Sequence, residues 1–244
     1  MRKSIVIATP SFGKVSIRWA QNFRALATPM NSLCPCISEV GFPVDVARNR
    51  IVKISLGLEC KPSHIFWLDD DVLCHPYSML QLIAAKKDVI GGVYFTKDDH
   101  AEPLIFDEQY SSPSPYIPNS GIRKTWACGG GLTLVKTEVY RKMLDTLDLG
   151  KDDMGNPRWY YTSGDKPDES YRCNEDMWFA DKANESGHEV WIDTSMMAFG
   201  WHYDIGAEKG YPTAQWAQYL ATGKADWEVP DELVKPKRRR KKAS

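Results

Sequence analysis

Nowhere does the chain reach the ~18 consecutive apolar residues that a membrane-spanning helix requires. Its first residues also lack the long apolar core and cleavage site of a secretory leader. The expectation is a soluble, cytoplasmic protein with no transmembrane segment. Cysteine is sparse and scattered: Cys34, Cys36, Cys60, Cys74, Cys128 and Cys173 include no Cys-x-x-Cys spacing, and Cys34-Pro-Cys36 is too tight for a zinc knuckle. In an unexported chain such cysteines read as reduced and structural, which excludes a disulfide-stapled scaffold. There is no internal repeat and no collagen-like period. What remains is 43% hydrophobic residues, 28 of the 244 being aromatic, enough for a sizeable core and one large domain.

The formal net charge of −1 conceals an asymmetry. Residues 235–244 carry seven Lys or Arg and no acid, leaving 24 basic against 32 acidic residues before them, a net of −8. A block of like charge this dense cannot join a core and reads as a disordered tail. Its readings are a nucleic-acid tether, an anionic-membrane tether, a localisation signal or a solubility device. Polybasic arms bind phosphate backbones by releasing counterions, which favours DNA as a partner. The chain divides on this basis into a domain over 1–210, an extension over 211–234 packed on it, and the tail at 235–244.

Apolar runs alternate with helical periods along the domain. Ser4–Ala8 and His64–Leu68 read as buried strands, and Asp88–Phe95 as a strand split by Gly91-Gly92. Val15–Ala27 and Val44–Leu58 have helical spacing, and Pro76 suits the first turn of a helix through Ala85. Leu132–Val135 reads as a strand entering a helix capped at Thr137. Asn174 caps a helix ended by Gly187, and the strand Val190–Ile192 follows. Residues 98–125 read as a long loop with edge strands, and 150–173 as a polar, mobile loop. The alternation predicts an α/β three-layer sandwich around a mostly parallel sheet.

Asp69-Asp70-Asp71 follows directly on the clearest buried strand, at the strand end where open α/β sheets bind ligands. On an extended chain Asp69 and Asp71 share a side while Asp70 faces away. Such a pair suits a hard divalent ion, Mg²⁺ or Mn²⁺, held against a diphosphate; a solvated, helix-capping loop is the plainer reading. Glu175 and Asp176 stand in a first helical turn, where the helix dipole favours acids whether or not either takes a proton in catalysis. Gly129-Gly130-Gly131 permits close backbone approach to a ligand or a kinked strand, and its spacing is not that of a P-loop.

Taken in order, these segments resemble the GT-A glycosyltransferases. His64-Ile-Phe-Trp-Leu-Asp-Asp-Asp-Val72 is similar to that group's hydrophobic strand and D-x-D motif, and Val46-Ala-Arg-Asn-Arg50 to the A-R-N segment of its family 2-like members. Cys128-Gly-Gly-Gly-Leu-Thr-Leu-Val135 resembles the glycine-containing strand beside the sugar. Asn174-Glu-Asp-Met-Trp-Phe179 resembles the E-D helix, and His202 in Gly200-Trp-His-Tyr203 the C-terminal metal-binding histidine. The likeness spans roughly residues 4–203, and the length resembles small phage and prophage members.

The resemblance implies a GT-A-like fold and metal-dependent transfer of a sugar from a nucleotide sugar, UDP being the commoner donor, to an acceptor hydroxyl with inversion. It implies Asp71 and His202 as metal ligands, with Asp69 on the metal, its water or the ribose. Thr9, Pro10, Asp45, Arg48, Asp69, Asp70, Gly92 and Gly130 are implied on the donor side, Asp45 serving equally as a first-turn helix acid. Asp176 is implied as the base, with Glu175 beside it, while Arg50 is read as solvated. Some phage members decorate hydroxymethylated DNA bases, which with the tail points to DNA as acceptor against a cell-surface polysaccharide or glycolipid. A nucleotidyltransferase would show a basic, glycine-rich loop where Thr9-Pro-Ser-Phe-Gly-Lys14 stands, and a non-catalytic nucleic-acid-binding protein would leave the Asp triplet unexplained.

Overall fold

The two faces of one central sheet are written into alternate residues of its strands. On β1 (Ile5–Ser11), Val6 and Ala8 face one apolar core while Ile5 and Ile7 face another. The computed structural model describes residues 4–97, 101–109, 111, 113–114, 117–163 and 174–211. Helix α1 (Ile17–Ala25), strand β2 (Cys36–Val40) and helix α2 (Val44–Gly57) follow. Next come β3 (His64–Leu68), β4 (Val72–Cys74), α3 (Ser78–Ala84) and β5 (Val89–Gly92). The short strands β6 (Ile105–Phe106), β7 (Ile122–Thr125) and β8 (Ala127–Cys128) precede β9 (Leu132–Lys136). The described chain ends with α4 (Thr137–Thr146), α5 (Glu175–Glu185), β10 (Val190–Asp193), β11 (Gly200–Asp204) and β12 (Lys209–Tyr211).

Seven strands form the main sheet in the order β2-β1-β3-β9-β5-β10-β7. Strands β2, β1, β3, β5 and β10 run the same way, and β9 and β7 run against them. Ile65 and Trp67 of β3 pack with Ile51 of α2, Val139 of α4 and Phe179 of α5, whereas Phe66 and Leu68 pack with Trp19 of α1 and Met79 of α3. Helices therefore cover both faces, giving the α/β/α sandwich with a mostly parallel sheet that the sequence predicts. Fully burying each large apolar side chain of this kind contributes about 1.5–3 kcal/mol, so the double-faced β3 is a main anchor of the fold.

Two features of this frame position the site. Because β9 is antiparallel to β3, Leu132 lies opposite Leu68, and the glycine run before β9 meets the aspartates after β3. A second, three-stranded sheet, β12-β11-β4, then pairs His202 with Val72 and delivers the histidine to the same end.

Three expectations change. Thr137 does not cap α4: Lys136 holds the cap position, and the Thr137 hydroxyl donates instead to the Pro62 carbonyl at 2.7 Å. Residues 150–163 are not a loose loop, since Trp159 and Tyr160 are buried, with the Trp159 indole donating to the Tyr140 carbonyl at 3.0 Å. Polar and turn residues dominate that window and mask its two aromatic anchors. The Asp triplet is not extended either, because Val72 N–H donates to the Asp69 carbonyl and closes a turn, so strand alternation stops at Leu68. The remainder of the expected loop (164–173), residues 212–234 of the extension and the basic tail lie outside the described residues.

Candidate active site

Arg48 is the centre of the site and is 1% exposed. Helix α2 carries it inward beneath β3, where its guanidinium lies over the rings of Trp67 and Tyr160 at 5.1 and 5.6 Å. Three carboxylates converge on it: Asp69 Oδ2 at 2.9 Å, Glu175 Oε1 at 3.6 Å and Asp176 Oδ1 at 3.8 Å. Asp69 arrives from the end of β3, and the two acids arrive from the first turn of α5. Asn174 fixes that turn by accepting the Met177 N–H at 2.9 Å. The two α5 acids come from more than a hundred positions beyond Arg48 and Asp69 in the sequence.

One buried cation cannot neutralise three carboxylates, and burial together with the surplus negative charge raises the proton affinities of Asp69 and Asp176. Burial, opposed by Arg48 and reinforced by Asp71 and Glu175, pushes Asp69 up to about 6. Burial and then the neighbouring Glu175 charge push Asp176 up to about 8, against the pull of Arg48. Arg48 Nε and Nη1, Asp69 Oδ1 and Asp176 Oδ1 are all buried without a hydrogen-bond partner. Four orphaned polar atoms in one cluster are costly in a fold's interior and characteristic of a functional one.

The glycine run is the floor of this cluster. A Cβ at Gly130 would overlap Asp176 Oδ1 and crowd Arg48, and one at Gly131 would lie 2.9 Å from Asp69 Oδ2. Gly129 faces the Tyr94 ring, whose hydroxyl accepts the Gly131 N–H at 2.8 Å. Only glycine leaves room for the carboxylates, so Gly130 serves the cluster directly. Gly92 stands apart, its α-carbon packed against the Ala198 carbonyl and Leu132.

The aspartates following β3 diverge to separate partners. Asp69 faces Arg48. Asp70 turns to the end of β1, where Ser11 and the Phe12 N–H act on its carboxylate. Asp71 Oδ2 meets Lys97 Nζ at 2.5 Å and His202 Nε2 at 3.2 Å. Burial raises the Asp71 carboxyl, but the His202 and Lys97 contacts overcome it and hold it at about 2. His202 Nδ1 lies 2.9 Å from the Phe95 carbonyl, which accepts a proton and cannot give one. The Nδ1 proton is thereby committed, and in the neutral ring the Nε2 lone pair points at a carboxylate. A cation between the two, or a second ring proton, resolves that opposition. Among the described residues no group of three or more His, Cys, Asp or Glu side chains is arranged to hold a metal ion by itself.

The remaining residues singled out in the sequence are less central. Thr9 and Pro10 are buried within β1 and pair with Ser38 and Glu39. Asp45 accepts the Thr162 N–H at 3.1 Å, tying α2 to the chain beyond Tyr160. Arg50, expected to be solvated, donates to Glu39 Oε2 at 2.6 Å and lies over the Phe42 ring. Sequence reasoning missed Lys97, Tyr94 and Tyr160. Lys97 is a lone lysine in a weakly periodic stretch, and no local signal marks it.

No protein-family model matches the sequence, and no curated protein does. Among solved structures, A197 from STIV superposes with a TM-score of 0.53 at 16% identity, over 84% of this chain and 86% of that one. The catalytic domain of Drosophila β1,4-galactosyltransferase 7, solved with xylobiose, gives 0.42 at 15% identity, over 93% and 82%. At this level of identity the first likeness is one of fold.

Proposed function

We propose that the protein is a divalent-metal-dependent glycosyltransferase that moves a sugar from a nucleotide sugar, a UDP-sugar in first place, to an acceptor hydroxyl with inversion. The observation that carries this reading is the opposition of His202 Nε2 and the Asp71 carboxylate at the end of the sheet where Asp69, Glu175 and Asp176 converge on Arg48. The carboxylate suits Mn²⁺ or Mg²⁺, whose other ligands would come from phosphate and water, and the imidazole nitrogen beside it favours Mn²⁺ of the two. When bound, such an ion supplies charge stabilisation to the departing diphosphate.

The chain's own groups do the rest. Asp176, raised to about 8 so that part of it is ionised near neutral pH, accepts in its ionised form the acceptor hydroxyl's proton as that oxygen bonds to the anomeric carbon. The bond from that carbon to the diphosphate breaks, and its electron pair leaves with the phosphate oxygen. Arg48 fixes Asp69 and Asp176 in place. Asp70, at the ends of β1 and β3, faces the region proposed for the nucleoside. DNA carrying hydroxymethylated bases is the proposed acceptor, on the strength of the seven-base tail; transfer to a polysaccharide or glycolipid instead would displace it.

A panel of nucleotide sugars, scored by release of the nucleoside diphosphate with Mn²⁺ and with EDTA, tests the reading. Turnover should require the metal, and Asp71→Asn should lower it more than a hundredfold with the fold intact, because a neutral amide is a poor divalent ligand. Full activity in EDTA, or near-wild-type turnover in Asp71→Asn, would remove the metal from the mechanism.

A further inference from the structure

We propose that Lys97 is an internal counter-cation: its ammonium occupies Asp71 until a divalent ion displaces it. The inference rests on the metal reading of Asp71 and His202 given above. Lys97 Nζ lies 2.5 Å from the same carboxylate oxygen, Oδ2, that His202 Nε2 faces. A metal ion and an ammonium on that oxygen repel at close range and compete for its lone pairs, so each weakens the other's hold. The ammonium acts electrostatically on Asp70 and Asp204 as well. It therefore performs, for this acidic end of the sheet, the neutralisation that a divalent ion would perform.

The geometry also permits release. The Lys97 side chain is 31% exposed, and its flexible four-carbon stem can swing the ammonium into water without moving the backbone. Just before it the backbone is held, since the Val93 carbonyl accepts the Gly200 N–H and Thr96 N–H donates to the Glu102 carbonyl. His202 is anchored by the Phe95 carbonyl and stays in position when the lysine leaves. The exchange needs one side chain to rotate while both proposed ligands stay in place. The lysine protects the folded state from carboxylate repulsion when metal is scarce, and it lowers the intrinsic metal affinity of the pair.

Direct Mn²⁺ titration of the full-length protein tests this, read by water-proton relaxation with no nucleotide present. Wild type, Lys97→Met and Asp71→Asn would be compared. Lys97→Met should bind Mn²⁺ about 1.5- to fivefold more tightly, the range spanned by loss of a competing, partly exposed ion pair. Without metal it should melt below wild type, and saturating Mn²⁺ should erase the difference. Equal or weaker Mn²⁺ binding in Lys97→Met, with binding lost in Asp71→Asn, would overturn the exchange and leave the metal reading standing. Absence of saturable Mn²⁺ binding in all three proteins would overturn both.

Discussion

Replacing Arg48 by methionine should cost the native state about 3–5 kcal/mol near neutral pH, the usual penalty for stranding buried charge by removing one partner. Methionine fills part of the space between Trp67 and Tyr160, so loss of packing contributes little beside loss of charge. What remains is Asp69, Glu175 and Asp176 facing one another without a counter-ion. The proton affinities of Asp69 and Asp176, already raised, rise further once Arg48 no longer opposes them. A carboxyl whose affinity is higher in the folded state contributes stability at low pH and loses it as pH climbs. The deficit should therefore be larger at pH 8 than at pH 5. Urea denaturation at the two pH values measures it. Adding Asp69→Asn to the variant should recover part of the loss, because the two sites share an interaction. A deficit below 1 kcal/mol at pH 8, or one independent of pH, would mean that Arg48 is a packing residue rather than the keystone of the acidic cluster.

The parts of this site carried by local chemistry are legible in the sequence. The continuous apolar run Ile65–Leu68, short and followed at once by polar residues, reads as a strand buried on both faces, and Asn174 with two acids after it marks a helix start. Those two facts place Asp69 and Asp176 at element ends. That the ends coincide is a property of the sheet, since the antiparallel insertion of β9 between β3 and β5 is not encoded in any one segment. The pairing of His202 with Asp71 depends likewise on β11 meeting β4 across more than a hundred residues. Lys97 could not be found from spacing, for its role exists only once Asp71 and His202 are adjacent. The turn at Asp69–Val72 was hidden because alternation on a strand says nothing of where the strand ends.

This arrangement separates two kinds of acid that the fold brings to one end of the sheet from positions more than a hundred residues apart. Asp71 is held ionised by a lysine and a histidine in a partly open place, while Asp176 is buried against another carboxylate and holds its proton. Environments that drive neighbouring carboxyls in opposite directions are a common means of assigning one to charge and another to proton transfer. The distinction arises from the fold, because both begin as ordinary aspartates with an affinity near 3.9.

Asp176→Asn puts that assignment to the sharpest test, because it should damage turnover and help stability in one change. As the group that takes the acceptor's proton, its loss should lower kcat by roughly 10²–10⁴ with donor affinity nearly unchanged. The stability effect has a definite sign. Wild-type Asp176 is raised in the folded state, so its contribution is full below about pH 4 and drains away as pH rises towards 8. Asparagine cannot ionise and escapes that decline, so the variant's melting temperature should gain on wild type between pH 5 and pH 8. Asp71 works in the other direction, contributing above about pH 4 and failing only as pH falls towards 2. Its window lies below the one measured and does not blur the comparison. Thermal melts at the two pH values, paired with donor titrations, give both readings from the same two proteins. A variant that no longer binds donor would show that Asp176 serves binding. A melting difference that stays flat across the window would show that the buried carboxyl is not the group holding the proton.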